Sequence, residues 1–125
     1  MNIRAQKILV ALGAAFLLAS PAIAHNAPSR HGGTVRAVGD IQFELVQRGD
    51  DAVIHVEDHG KPVPTAGMAG TLTVLRGTEK SEMPLQPAGE NRLEAKGAKL
   101  GSGAKAVAVV TADKKKTITV RFAVK

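Results

Sequence analysis

The stretch Ile41-Gln42-Phe43-Glu44-Leu45-Val46-Gln47-Arg48-Gly49-Asp50-Asp51-Ala52-Val53-Ile54-His55-Val56-Glu57 reads as two strands and a turn. Ile41, Phe43 and Leu45 fall on one face and Gln42 and Glu44 on the other, the two-residue period of a half-buried strand. Arg48-Gly49-Asp50-Asp51 then interrupts the run with residues that favour a hairpin turn. The chain returns over 52–57, with Ile54 and Val56 facing one way and Val53, His55 and Glu57 the other.

The same pattern extends outward from this hairpin. Residues 33–38 form a preceding strand. Residues 58–70 are rich in Gly and Pro and have no period, so they read as a long loop that crosses to another sheet. Over 70–76, Leu72 and Val74 alternate with Thr71, Thr73 and Leu75. Shorter runs at 80–85 and 92–96 flank the turn-like Pro87-Ala88-Gly89-Glu90-Asn91. Residues 105–112 and 117–124 make a last hairpin about a turn at 113–116. Ala106, Ala108 and Val110 suit a helix, but Val107, Val109 and Thr111 between them favour a strand. The lysines at 114, 115 and 116 read as a solvated turn that protects a sheet edge, with contact to anionic lipid as the alternative. Many short strands with regular turn signals predict an all-β protein. The expected architecture is an antiparallel β-sandwich of Ig-like or Greek-key type, or a small barrel, occupying 33–125 as one domain.

Residues 1–24 have the three parts of a secretory signal peptide: basic Arg4 and Lys7, an apolar run over 8–19, and Ala22-Ile23-Ala24 as a small-residue cleavage site. The apolar run is shorter than the ~20 residues of a spanning helix, so no stable membrane insertion is expected after cleavage. A periplasmic location and a flexible leader over 25–32 follow from this expectation. Cleavage takes Arg4 and Lys7 from the 17 basic residues and nothing from the 11 acidic ones, which lowers the net charge of +6 by two. That mild balance, with no Trp, no Tyr, and Phe43 and Phe122 as the aromatics left, gives no platform for stacking bases, and nucleic acid is not expected as a partner. The chain has no cysteine, so its stability must come from packing, and cysteine-ligated zinc, iron-sulfur and blue-copper centres are excluded.

All four histidines lie within 25–59. Cleavage after Ala24 would make His25 the N-terminus, where its α-amine and imidazole can chelate one ion together; nitrogen donors of this kind suit Cu(II). An N-terminal histidine of this sort resembles that of periplasmic copper-binding proteins of the copper-resistance type. His31 opens His31-Gly32-Gly33, whose glycines leave the backbone free to turn. His55 and Glu57 share a strand face with Cβ atoms roughly 7 Å apart, close enough to share an ion, while His59 lies ~13 Å from His55 unless the chain bends at Gly60. The segment His55-Val56-Glu57-Asp58-His59 is not the helical zinc-protease motif: its glutamate is one place late, and Gly60 and Pro62 oppose a helix. Asp58 is expected to form a turn, its carboxylate bonded to nearby backbone. Met68 and Met83 are either thioether donors for Cu(I) or core fillers. No nucleophile has a base at a diagnostic spacing, and no glycine motif cradles phosphate, so an enzyme is not expected.

The succession His31-Gly32-Gly33, Phe43-Glu44-Leu45-Val46, Asp58-His59-Gly60-Lys61-Pro62-Val63 and Leu85-Gln86-Pro87-Ala88-Gly89-Glu90-Asn91-Arg92-Leu93 resembles small periplasmic proteobacterial proteins of metal-resistance type. It is also similar to a β segment of heavy-metal efflux adaptor subunits. The resemblance implies a periplasmic accessory that binds copper or another divalent transition metal, acting as carrier or buffer beside an efflux component. The adaptors' long helical hairpin has no counterpart here, which points to a freestanding protein. His25, His31, His55 and His59 are then the candidate imidazole ligands, and Glu57 or Asp58 an auxiliary carboxylate. Two other readings stand beside this one: a β-sandwich that binds an envelope partner and no metal, and a copper-dependent oxidative enzyme built on His25.

Overall fold

Strands follow the alternation of the sequence. The computed structural model describes residues 28–112 and 116–125, and among these there are nine strands and no helix. They are β1 (Thr34–Val38), β2 (Ile41–Arg48), β3 (Asp51–Asp58), β4 (Lys61–Pro62), β5 (Ala69–Arg76), β6 (Glu79–Pro87), β7 (Arg92–Ala95), β8 (Lys105–Thr111) and β9 (Thr117–Ala123). The signal peptide, His25, and the lysines at 114 and 115 lie outside the described residues.

The β2–β3 hairpin pairs Arg48 with Asp51 and Leu45 with Ile54. Its two-residue loop begins at Gly49, with φ +59°, the position that a type II′ turn reserves for glycine. The β1–β2 and β5–β6 loops begin in the same way, at Gly39 and Gly77. Short loops of this kind match the right-handed twist of the strands and fix each register.

All pairings are antiparallel, and the strand order is β1-β2-β3-β7-β6-β5-β8-β9, with β4 added beside β3. Strands β5 to β8 thus lie in the spatial order β8-β5-β6-β7, a Greek key. β6 turns the corner between two halves of the sheet: residues 79–85 pair with β5, while Gln86 and Pro87 pair with Glu94 and Leu93 of β7. The sheet curls until β1 lies beside β9, so the sandwich is nearly closed into a barrel.

The inward faces build one core. Phe43, Leu45, Ile54, Val56 and Leu93 come from one half, and Leu72, Val74, Val110, Val120 and Phe122 from the other. Leu75, on the opposite face of β5, is exposed. Ala106 and Ala108 are buried on β8, where a strand rather than a helix carries them. The expected loop over 58–70 is more structured than its composition suggests. It contains β4, then Val63 donates its N–H to the Val56 carbonyl (3.0 Å) and Thr65 to that of Glu90 (3.0 Å). The Thr65 hydroxyl, fully buried, also donates to Arg92 O at 2.8 Å. These bonds hold the β6–β7 turn against the end of β3.

Candidate functional site

One row of residues runs across the outer face of the sheet: Val35 on β1, Glu44 on β2, His55 on β3 and Arg92 on β7. Strand alternation puts this row, polar but for Val35, opposite the core face occupied by Phe43, Leu45, Ile54 and Leu93. Glu44 would be costly to bury unpartnered at 6% exposure, and the leader meets its need. Its carboxylate accepts from Ser29 Oγ (2.8 Å) and from the backbone N–H groups of Arg30 (3.1 Å), His31 (2.9 Å) and Gly33 (2.8 Å). Burial alone would raise the Glu44 pKa; the hydrogen bonds from Gly33, Ser29, His31 and Arg30 outweigh it and hold the carboxyl below its ordinary value of 4.5.

This clamp lays the leader over the sheet and places His31 on His55. The two imidazoles stack with centroids 3.7 Å apart and planes inclined by 11°. Burial, foremost, and the neighbouring charges of His31, Arg48 and Arg92 lower the His55 pKa from 6.5, against an opposing pull from Glu44. His55 is therefore held neutral at pH 7, with a ring lone pair free to accept a proton, a hydrogen bond or a metal.

The pair borders an open groove of about 600 Å³ that Arg30, Arg48, Glu57 and Arg92 also line, with Val46, Pro62, Glu90 and Asn91. Arg30 Nε lies 3.5 Å from Glu57 Oε1. Arg92 donates from Nη2 to Ala88 O at 2.8 Å, while its Nε is buried without a hydrogen-bond partner.

The structure brings together His31, His55 and Glu57 and sets His59 apart. His59 sits in the turn between β3 and β4 at φ +54°, with Nδ1 2.5 Å from Asp58 Oδ1 and Nε2 3.7 Å from Asp40 Oδ1. The bend expected at Gly60 carries its ring away from His55 toward the β1–β2 turn. The Asp58 carboxylate meets this ring instead of the backbone expected for it. Met68 and Met83 are half-buried against the core, as fillers. Among the described residues no three or more His, Cys, Asp or Glu side chains are grouped to hold a metal ion. Parallel rings also direct their in-plane lone pairs side by side, so an ion shared by His31 and His55 requires one ring to turn about its side-chain bonds.

Sequence reasoning missed Glu44, Arg48 and Arg92. Glu44 was visible as a polar residue on the outer face of β2, but only the fold shows the leader closing over it. No family model matches the chain, and no curated protein or solved structure is similar to it at the level compared. Fold and groove therefore define its class by themselves: an all-β Greek-key domain with an imidazole pair and arginines on its outer face.

Proposed function

We propose that the protein is a periplasmic binding protein for a transition metal, copper foremost, and that it acts as carrier or buffer in metal resistance or efflux, with no catalytic role. The observation that carries this reading is the His31–His55 pair. Two imidazoles are already in contact, the buried His55 beneath the exposed His31 of a clamped leader, and His55 sheds its proton easily, which removes a cost of metal binding near neutral pH. Glu57 borders the same groove as a carboxylate donor, although the ion pair with Arg30 competes for it. His25, with its free amine after cleavage, would supply the remaining nitrogens. Imidazoles and an amine suit Cu(II). An efflux component of the envelope is the natural recipient of the ion.

The test is titration of the cleaved protein, its N-terminus confirmed by intact mass, with Cu(II), Cu(I), Zn(II) and Ni(II), alongside His25→Ala, His31→Ala and His55→Ala. One-to-one binding tighter than 10 μM, about −7 kcal/mol, that each variant weakens at least tenfold is the expected result. Absence of such binding for every ion overturns the reading. The position of His59, away from the groove, favours a second reading: a β-domain that docks an envelope partner without metal. Undiminished partner capture by the His31→Ala, His55→Ala double variant would support it.

A further inference from the structure

Arg48 and Arg92 line the groove, and neither the hydrophobic core nor an imidazole-based metal site requires them. Arg48 ends β2, and Arg92 opens β7 opposite His55. Both line the 600 Å³ groove, and both also line an adjoining depression with Asp51, Val53, Ala88 and Glu94. As the two residues common to both, they form the ridge between them.

Among the described residues neither arginine has a carboxylate within 4.0 Å, although carboxylates are near. Glu57 faces Arg30 instead, and Asp51 accepts the N–H of Gly97 at 2.9 Å. Glu90 and Glu94 line the two depressions and form no ion pair among the described residues. Arg92 keeps one guanidinium contact, to Ala88 O, and a buried Nε–H that nothing accepts. Buried donors left in this way are rare in folded proteins, and a small adjustment of the guanidinium would offer this one to an acceptor entering the groove.

We infer that the Arg48–Arg92 ridge is a binding site for a small oxyanion, a molecule carrying a carboxylate or a phosphate group. A guanidinium presents a planar fork of donors that matches such groups in bidentate fashion, and it stays charged at every physiological pH. The groove has the size of a small-molecule site. The two guanidinium charges, without carboxylate partners of their own among the described residues, attract an anion. The site uses other side chains than the proposed metal pair, although His31 and His55 border the same groove.

The test uses the full cleaved protein, free of metal, followed by two-dimensional NMR during titration with inorganic phosphate and, separately, with citrate. Potassium chloride at matched ionic strength is the control. Saturable shifts confined to Arg48, His55, Arg92 and their strand neighbours are expected. They should weaken at least tenfold in Arg48→Gln, which lies at an exposed strand end, and persist in Arg121→Gln, an exposed position of β9. Saturation by phosphate alone or by citrate alone assigns the ligand class. Shifts no larger than those with chloride, or unchanged by Arg48→Gln, overturn the inference. His31→Ala separates the two sites: it should weaken metal binding at least tenfold and leave anion binding intact.

Discussion

Glu44 is one carboxylate with four donors from a single short segment, and it decides where His31 lies. A glutamine there can accept with one oxygen only and turns an amide N–H₂ toward donors already in place. Hydrogen bonds to a charged acceptor contribute more than neutral ones, so Glu44→Gln is expected to lower stability by about 2 kcal/mol. The pH dependence has a definite sign. The folded Glu44 pKa lies below the 4.5 of the unfolded chain, so between these values the unfolded state holds the extra proton. The stabilisation is complete above pH 4.5 and is lost as pH falls through the folded pKa. His55 acts in the same direction at higher pH: its folded pKa lies below 6.5, so stability starts to decline as the unfolded histidine takes up a proton. Urea midpoints of the metal-free protein, measured from pH 7 to pH 3, should fall in both windows. In Glu44→Gln the lower one should flatten; an unchanged slope below pH 4.5 would show that another carboxylate carries it.

Where the leader joins β1, Gly33 sits so close to β2 that a Cβ would stand 2.2 Å from the Leu45 carbonyl oxygen and 2.8 Å from a Val46 methyl. Backbone cannot yield to such a contact without moving the strand. Gly33→Ala should therefore push the leader off Glu44, cost roughly 1–3 kcal/mol, and separate the imidazoles, which NMR would register as loss of the ring-current shifts between His31 and His55. Retained stacking at wild-type stability would contradict this account. The contrast between Gly33 and the rest of the hairpin explains what the sequence discloses. The strands were legible because burial on one face imposes a period of two, as at Phe43 and Leu45 or Leu72 and Val74. β4 was not legible, because a two-residue pairing leaves no period to read. The Greek-key order was not readable strand by strand either. It depends on distant clasps such as Gln47, whose side chain accepts from Leu100 N (2.8 Å) and donates to Ala98 O (3.1 Å) to seat the β7–β8 connection on the β2–β3 hairpin. Likewise His55 and Glu57 share a face by simple alternation, whereas the partnership of His31 with His55 needs the Glu44 clamp.

At the scale of the whole molecule, the seam between β1 and β9 is where the barrel falls short of closure. The two strands lie side by side, yet β1 pairs with β2 alone and β9 with β8 alone. Beyond the end of β9, Val124 donates to Ala104 O (2.8 Å) and accepts from Gly103 N (3.0 Å), so the last residues fold inward on the β8 side rather than across the seam. An open seam leaves alternate amides of β1 and β9 without a ladder partner, while β3, β5 and β8 are paired on both sides. Local opening should therefore be easiest at β1, the strand that carries the leader and hence His31. Amide hydrogen exchange tests this directly. The seam-facing amides of β1 and β9 should exchange roughly a hundredfold faster than those of β3 and β5. The His31 and Gly33 amides, both bonded to Glu44, should open together with β1. Protection in β1 equal to that in β3 would mean that a ladder closes the barrel in solution. Slow exchange at His31 despite a mobile β1 would mean that the Glu44 clamp holds the imidazole pair on its own, without support from the strand.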